Sequence, residues 1–400
     1  MRIQSIVLLV LLIFSCRERS DPFGVESFNW EDDLNIVNGG VVRVEGLGKV
    51  RDLHFNDNRL FVGTEDNGVY IYDILSESTE NSIALSNGQF LDLLYESREW
   101  GIGKSIRSLY YSDDSEILYA IDNFSYTYHG YLPYLLGDYE PDLCSPPDTL
   151  MQNRCSFLQS HATKFTVDDT SESPELYILY KRNANIESYL ENSFSEVKLM
   201  QYIFPPEETL EFCDFIADCE TDAISIEDSL SYNVNDIFYA DNKLYIANPT
   251  ENLNSFSVYD TQAEDLSFLD EYITDSPVRS IYSINNTILA GTENGCYITL
   301  LDDGGISDIT ESKLIIAEDF TIYDIFYDGE RLILSCGSKG ILVYDWNGLD
   351  SEPSESLRIM NSGNTTFGLE GFNYTAVARF YNGMYFVSTE DDGFQIYNIY

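Results

Sequence analysis

The chain has 400 residues, 44% of them hydrophobic and 14% aromatic, enough to bury a large core. Its 68 acidic residues against 22 basic ones give a formal charge of -46 at pH 7. That balance excludes nucleic acid as a partner, because phosphate contacts need clustered Lys and Arg, and it surrounds the molecule with a negative field.

The first segment opens with Arg2 and an apolar run at residues 6–14, too short to span a bilayer as a helix but right for the core of a secretory signal. Ile13, Phe14, Ser15 and Cys16 resemble the lipobox of bacterial lipoproteins. The resemblance implies removal of residues 1–15, acylation of Cys16 by several chains, and attachment to the outer membrane or cell surface; an ordinary signal peptide with an incidental cysteine is the alternative. A single acyl chain would anchor only weakly. Residues 16–35 read as a polar tether without apolar periodicity, and no later apolar run has spanning length. Membrane contact is therefore expected through the lipid anchor only.

From residue 36 to 400 one pattern recurs. Its clearest copy is Val50 to Phe55, a polar turn, Leu60-Phe61-Val62-Gly63-Thr64, a second turn ending at Gly68, and Val69-Tyr70-Ile71-Tyr72-Asp73. Further copies begin at Ile106, Val234, Val278 and Ile322, a degenerate one lies at 161–189, and the last ends in Gly393-Phe394-Gln395-Ile396-Tyr397-Asn398. Each holds three short runs rich in β-branched and aromatic residues, which predict three antiparallel strands, with a variable fourth after them. Gly68, Gly295, Gly340 and Gly393 close the second turn, where positive φ is required. Such units predict an all-β fold: a β-propeller of seven four-stranded blades, with six or eight as the alternatives. The last copy lacks an outer strand, and residues 39–45 are expected to supply it and close the ring. Insertions are expected near 129–160 and 190–232. The copies ending in Tyr72-Asp73, Tyr344-Asp345 and Tyr397-Asn398 resemble the LVIVD-type repeats of bacterial surface propellers, a likeness that implies fold and hardly constrains function.

The first strand of a blade faces the central channel, so repeat-equivalent residues form rings. One column holds Arg51, Arg107 and Arg279; the next holds Asp52, Asp236 and Asp324, with Ser108 and Ser280 between them. Guanidinium groups at a channel mouth would bind an anion or carboxylate; Arg–Asp pairing between blades is the plainer reading. His54 stands where other copies carry Tyr110, Phe238, Tyr282 and Phe326, a packing position. Cys144, Cys155, Cys213 and Cys219 are disulfide candidates in an exported chain, with three connectivities open, and Cys296 and Cys336 read as buried apolar residues. No cofactor is predicted. Calcium is the candidate metal, at acidic turns such as 65–68, 113–114, 168–169 and 390–393.

No nucleophile elbow, zinc-protease helix or Walker loop occurs. The function expected is that of a cell-envelope binding or scaffolding propeller without catalysis. Its partner would be a protein or glycan, met through the aromatic, acidic insertions, and the chain is expected to be a monomer. The alternative is an extracellular carboxylate-based hydrolase or lyase acting on a polysaccharide.

Overall fold

Tight glycine turns between runs of Val, Ile, Leu and Tyr dictate short hairpins, and the computed structural model of the chain is built from them. It describes residues 41–65, 67–97, 106–113, 116–122, 127–131, 136, 151–153, 160–169, 175–182, 196–203, 234–248, 254–262, 266–285, 287–300, 314–348, 351–359, 377–388 and 393–398. Among the described residues there is no α-helix, and the strands form seven antiparallel sheets. All seven fall within one unit, Ile36–Tyr400.

Blade 1 comprises Val50–Asn56, Arg59–Thr64, Gly68–Leu75 and Phe90–Glu96, with Ile83–Ala84 added on its edge. Blade 2 comprises Ile106–Ser112, Ile117–Asp122, Thr127–Tyr131 and Met151–Asn153. The degenerate copy forms blade 3, with Ser160–Asp168, Glu175–Arg182 and Glu196–Ile203. Blade 4 holds Ile237–Ala240, Lys243–Ala247, Ser255–Asp260 and Ser267–Ile273, and blade 5 holds Val278–Ile284, Thr287–Thr292, Gly295–Leu300 and Leu314–Ile316. Blade 6 is Asp324–Tyr327, Arg331–Ser335, Ile341–Asp345 and Ser354–Ile359. Blade 7 joins Ala378–Tyr381, Met384–Ser388 and Phe394–Asn398 to the N-terminal strand Val41–Val44.

The first strands of successive blades touch one another in order, and that of blade 7 touches that of blade 1, so the sheets close a ring. At the closing junction Tyr381 Oη donates to Asn58 Oδ1 at 2.8 Å, and the Phe55 and Tyr381 rings stack at 4.9 Å. The expected outer strand is in place, with Val41 opposite Tyr397 and Val44 opposite Phe394. The four turn glycines take φ of +85°, +112°, +89° and +70° at Gly68, Gly295, Gly340 and Gly393.

Second strands are buried along nearly their whole length, as in Thr287–Thr292, because both faces meet neighbouring blades. Clusters of apolar side chains fill the junctions: Leu53, Leu60 and Val62 pack with Met384, Phe386 and Ile396 between blades 1 and 7, and Leu289 and Ile298 with Leu332 and Leu342 between blades 5 and 6. Tyr72, Tyr259, Tyr344 and Tyr397 share one buried third-strand position and belong to this packing.

The two segments expected as insertions are in part blade. Thr127–Tyr131 pairs with Met151–Asn153, and Glu196–Ile203 pairs along the whole of Glu175–Arg182. Outer strands hold their place through backbone pairing and need little apolar alternation, so their pattern in the sequence is faint.

Candidate functional site

The inner strands are not regular. Their registers shift between Val50 and Asp52, Ile106 and Ser108, Ala162 and Lys164, and Val278 and Ser280. A bulge of this kind re-aims the extra side chain, and in blades 1, 2 and 5 that residue is Arg51, Arg107 or Arg279. Arg51 is held by Glu65, its Nε lying 2.8 Å from Oε2, and Arg279 is held by the repeat-equivalent Glu293. Burial favours the neutral Glu65 carboxyl, but the hydrogen bond and charge of Arg51, with Arg107 and Lys49 nearby, bring its pKa below the ordinary value. Burial and the Arg51 charge lower the pKa of Arg107, and Glu65 opposes them.

The central cavity has a volume of about 640 Å³, and none of these three arginines lines it. Asp52, Asp236 and Asp324 do, and they share a layer with Ser108, Lys164 and Ser280. Register shows the equivalence: Lys164 stands opposite Leu179 as Asp52 stands opposite Gly63. Two residues along each strand comes a second layer: His54, Tyr110, Thr166, Phe238, Tyr282, Phe326 and, in blade 7, Arg379. Asp169, Asp241 and Asn285, from the following turns of blades 3, 4 and 5, also border the cavity.

The carboxylates tie blades together. Asp52 Oδ2 accepts the Leu109 amide at 2.9 Å and the Ser108 hydroxyl at 3.1 Å. Asp236 Oδ2 accepts the equivalent Ile281 amide at 2.9 Å, and its Oδ1 lies 3.5 Å from Lys164 Nζ. Arg379 spans three blades, with Nη1 2.5 Å from Asp324 Oδ2 and Nη2 3.7 Å from Asp52 Oδ1. Burial raises the Asp236 pKa against the pull of Lys164 and the Ile281 amide. The Asp236 charge in turn raises Lys164. Burial acts to lower the Arg379 pKa, but Asp324 and Asp52 outweigh it and bring it above the ordinary value.

Lys164 and Arg379 were not among the sequence candidates. Lys164 lies in the degenerate copy, and Arg379 lies two residues beyond the column that the Asp residues define. Hairpin register, had it been aligned through the degenerate copy, is the signal that would have found Lys164.

Burial first, and the Arg379 charge second, push the His54 imidazole from 6.5 down to about 4, so it is neutral near pH 7. Its folded pKa lies below the unfolded one, so the stabilisation is complete above about 6.5 and is lost as pH falls toward 4. The His54→Phe variant, carrying the residue of blades 4 and 6, should gain on the wild type by up to about 3 kcal/mol between pH 7 and pH 4. Urea denaturation of both proteins across that range measures the gap; a gap independent of pH would mean that His54 charges freely in the fold.

Cys16, Cys144, Cys155, Cys213 and Cys219 lie outside the described residues. Cys296 and Cys336 are buried free thiols, and burial raises both, Cys336 to about 12. Of the acidic turns, Asp66, Asp114 and residues 390–392 lie outside the described residues, Glu65 is engaged by Arg51, and Asp169 Oδ2 accepts the Tyr110 hydroxyl at 2.8 Å. Among the described residues no group of three or more His, Cys, Asp or Glu is placed to hold a metal ion.

No family model matches the sequence, and no curated protein matches it. Among solved structures, a chain of a mitotic checkpoint complex is similar over 90% of this chain and 94% of its own, with 9% identity and a TM-score of 0.54. The WD40 β-propeller domain of Doa1 shows 12% identity over 90% of this chain and 95% of its own, with a TM-score of 0.49. The computationally designed Ika8 protein shows 11% identity over 89% and 98%, also with a TM-score of 0.49. At such identities the likeness concerns fold alone. The ring of seven sheets itself shows the fold: the chain is an all-β propeller.

Proposed function

We propose that the chain is an exported lipoprotein, acylated at Cys16 and held at the outer membrane or cell surface, whose propeller binds or scaffolds a protein or glycan partner without catalysis. The observation that carries this reading is the use made of the central carboxylates. Asp52 and Asp236 accept backbone amides of the next blade, and Asp324 is paired with Arg379. A general acid or base needs a carboxyl free to exchange its proton with substrate, whereas each of these three has an oxygen committed to a neighbouring blade. The result is a rigid frame that carries variable segments on its outer strands, the arrangement in which recognition is commonly placed.

Two measurements test the reading. Metabolic labelling with a fatty-acid analogue in a bacterial host should mark the wild type and leave Cys16→Ser unlabelled; equal labelling would remove Cys16 as the anchor. Capture on a glycan array and from envelope extracts should depend on residues 137–150. Replacing those by a short turn keeps both Thr127–Tyr131 and Met151–Asn153. Capture lost by the folded variant locates the binding surface, and no capture by either protein argues against a binding role.

A further inference from the structure

We propose that the central cavity binds a small organic cation, an ammonium group carried on an apolar body. Its walls hold five carboxylates, Asp52, Asp169, Asp236, Asp241 and Asp324, against two cations, Lys164 and Arg379. His54 adds no positive charge at neutral pH, since its imidazole is held at about 4. A negative surplus remains after the internal pairs are made, and the -46 charge of the whole chain draws cations toward it. Asp236 is only 6% exposed, and its Oδ1 receives no hydrogen bond, with Lys164 Nζ 3.5 Å away.

The second layer supplies the apolar part of the site. Tyr110, Phe238, Tyr282 and Phe326 alternate with buried neighbours along their strands, yet each stays partly exposed where it borders the cavity. Phe238 and Tyr282 lie with ring centroids 4.9 Å apart, forming a continuous aromatic wall beside Asp236 and Asp241. Ring faces attract cations through their quadrupole, more strongly where water is excluded. The protein already uses this geometry once. The Arg379 guanidinium lies between Asp324 and Asp52 with its Cζ 5.4 Å from the Phe326 ring centroid. The opposite side, with Phe238, Tyr282 and the exposed Asp241, offers an ammonium ring faces and a carboxylate as well. A volume of about 640 Å³ suits a ligand of that size.

This site is separate from the partner surface proposed above, and either can fail alone. The test is calorimetric titration of the full chain at constant ionic strength with phenethylammonium, 2-phenylethanol and 3-phenylpropionate. Phenethylammonium is expected to bind with a Kd below about 1 mM, the neutral alcohol at least about tenfold more weakly, and the anion not measurably. Asp241→Asn and Phe238→Leu should each weaken the ammonium about fivefold. Asn tolerates the φ of +52° at position 241, so that variant is expected to fold even if the second does not. Equal binding of the alcohol would show a merely apolar cavity and overturn the proposal. Unchanged ammonium binding in Asp241→Asn would place the cation elsewhere on the acidic surface and overturn it equally, as would no binding at all.

Discussion

Replacing Gly393 by valine is expected to cost on the order of 4 kcal/mol or more and to lower the melting temperature more than any conservative core change. Two effects act together. Position 393 has φ +70°, which a β-branched residue resists, and a Cβ there would stand 1.7 Å from the Val44 carbonyl oxygen. The Gly393 amide also donates to Gly48 O at 2.7 Å, so the backbone cannot move away without giving up that bond. The site lies where the N-terminal strand Val41–Val44 meets blade 7, and the variant therefore loosens the closure of the ring. Gly329→Ala is the control: φ is +99° but no atom lies within 4 Å, so backbone strain of about 1–3 kcal/mol is all it should lose. Thermal and urea unfolding of the two variants make the comparison. Equal losses would mean that the N-terminal strand contributes nothing to closure.

Arg379→Met should destabilise the protein by about 3–5 kcal/mol, the usual consequence of removing one member of a buried ion pair. Arg379, 15% exposed at its side chain, pairs with both Asp324 and Asp52. It belongs to blade 7 and holds blade 6 on one side and blade 1 on the other. At the junction between blades 6 and 7, Arg331 also lies over the Phe380 ring at 4.1 Å. Methionine keeps the stem but leaves both carboxylates without that partner. A second substitution, Asp324→Asn, removes one of those charges and should recover part of the loss in a double-mutant cycle. A single-variant loss under about 1 kcal/mol would show that cavity water screens the pairs, as it does on open surfaces.

Much of the architecture was legible because a blade is a local object. The turns ending at Gly68, Gly295, Gly340 and Gly393 and the runs beside them carry their own conformational preferences, and repetition made a weak signal strong. The ring closure was legible from one deficit, the missing outer strand after Tyr397, and one surplus, the extended segment before Val50. The outer strands of blades 2 and 3 were not, since pairing by backbone alone leaves little mark on side-chain choice.

The site divides along the same line. By itself the sequence determined the blades, their order and the column of Asp52, Asp236 and Asp324, because these follow from short-range pattern and its repetition. Only the tertiary structure decided where the charges point. A bulge turns Arg51 and Arg279 toward Glu65 and Glu293 and leaves the aspartates to the cavity, although the two residue types are chain neighbours. Arg379 meets Asp52 only because the ring closes. A one-residue change of register reverses a strand's faces, and a pair made across the closing junction has no local signal, so neither fact can be read before the chain is folded.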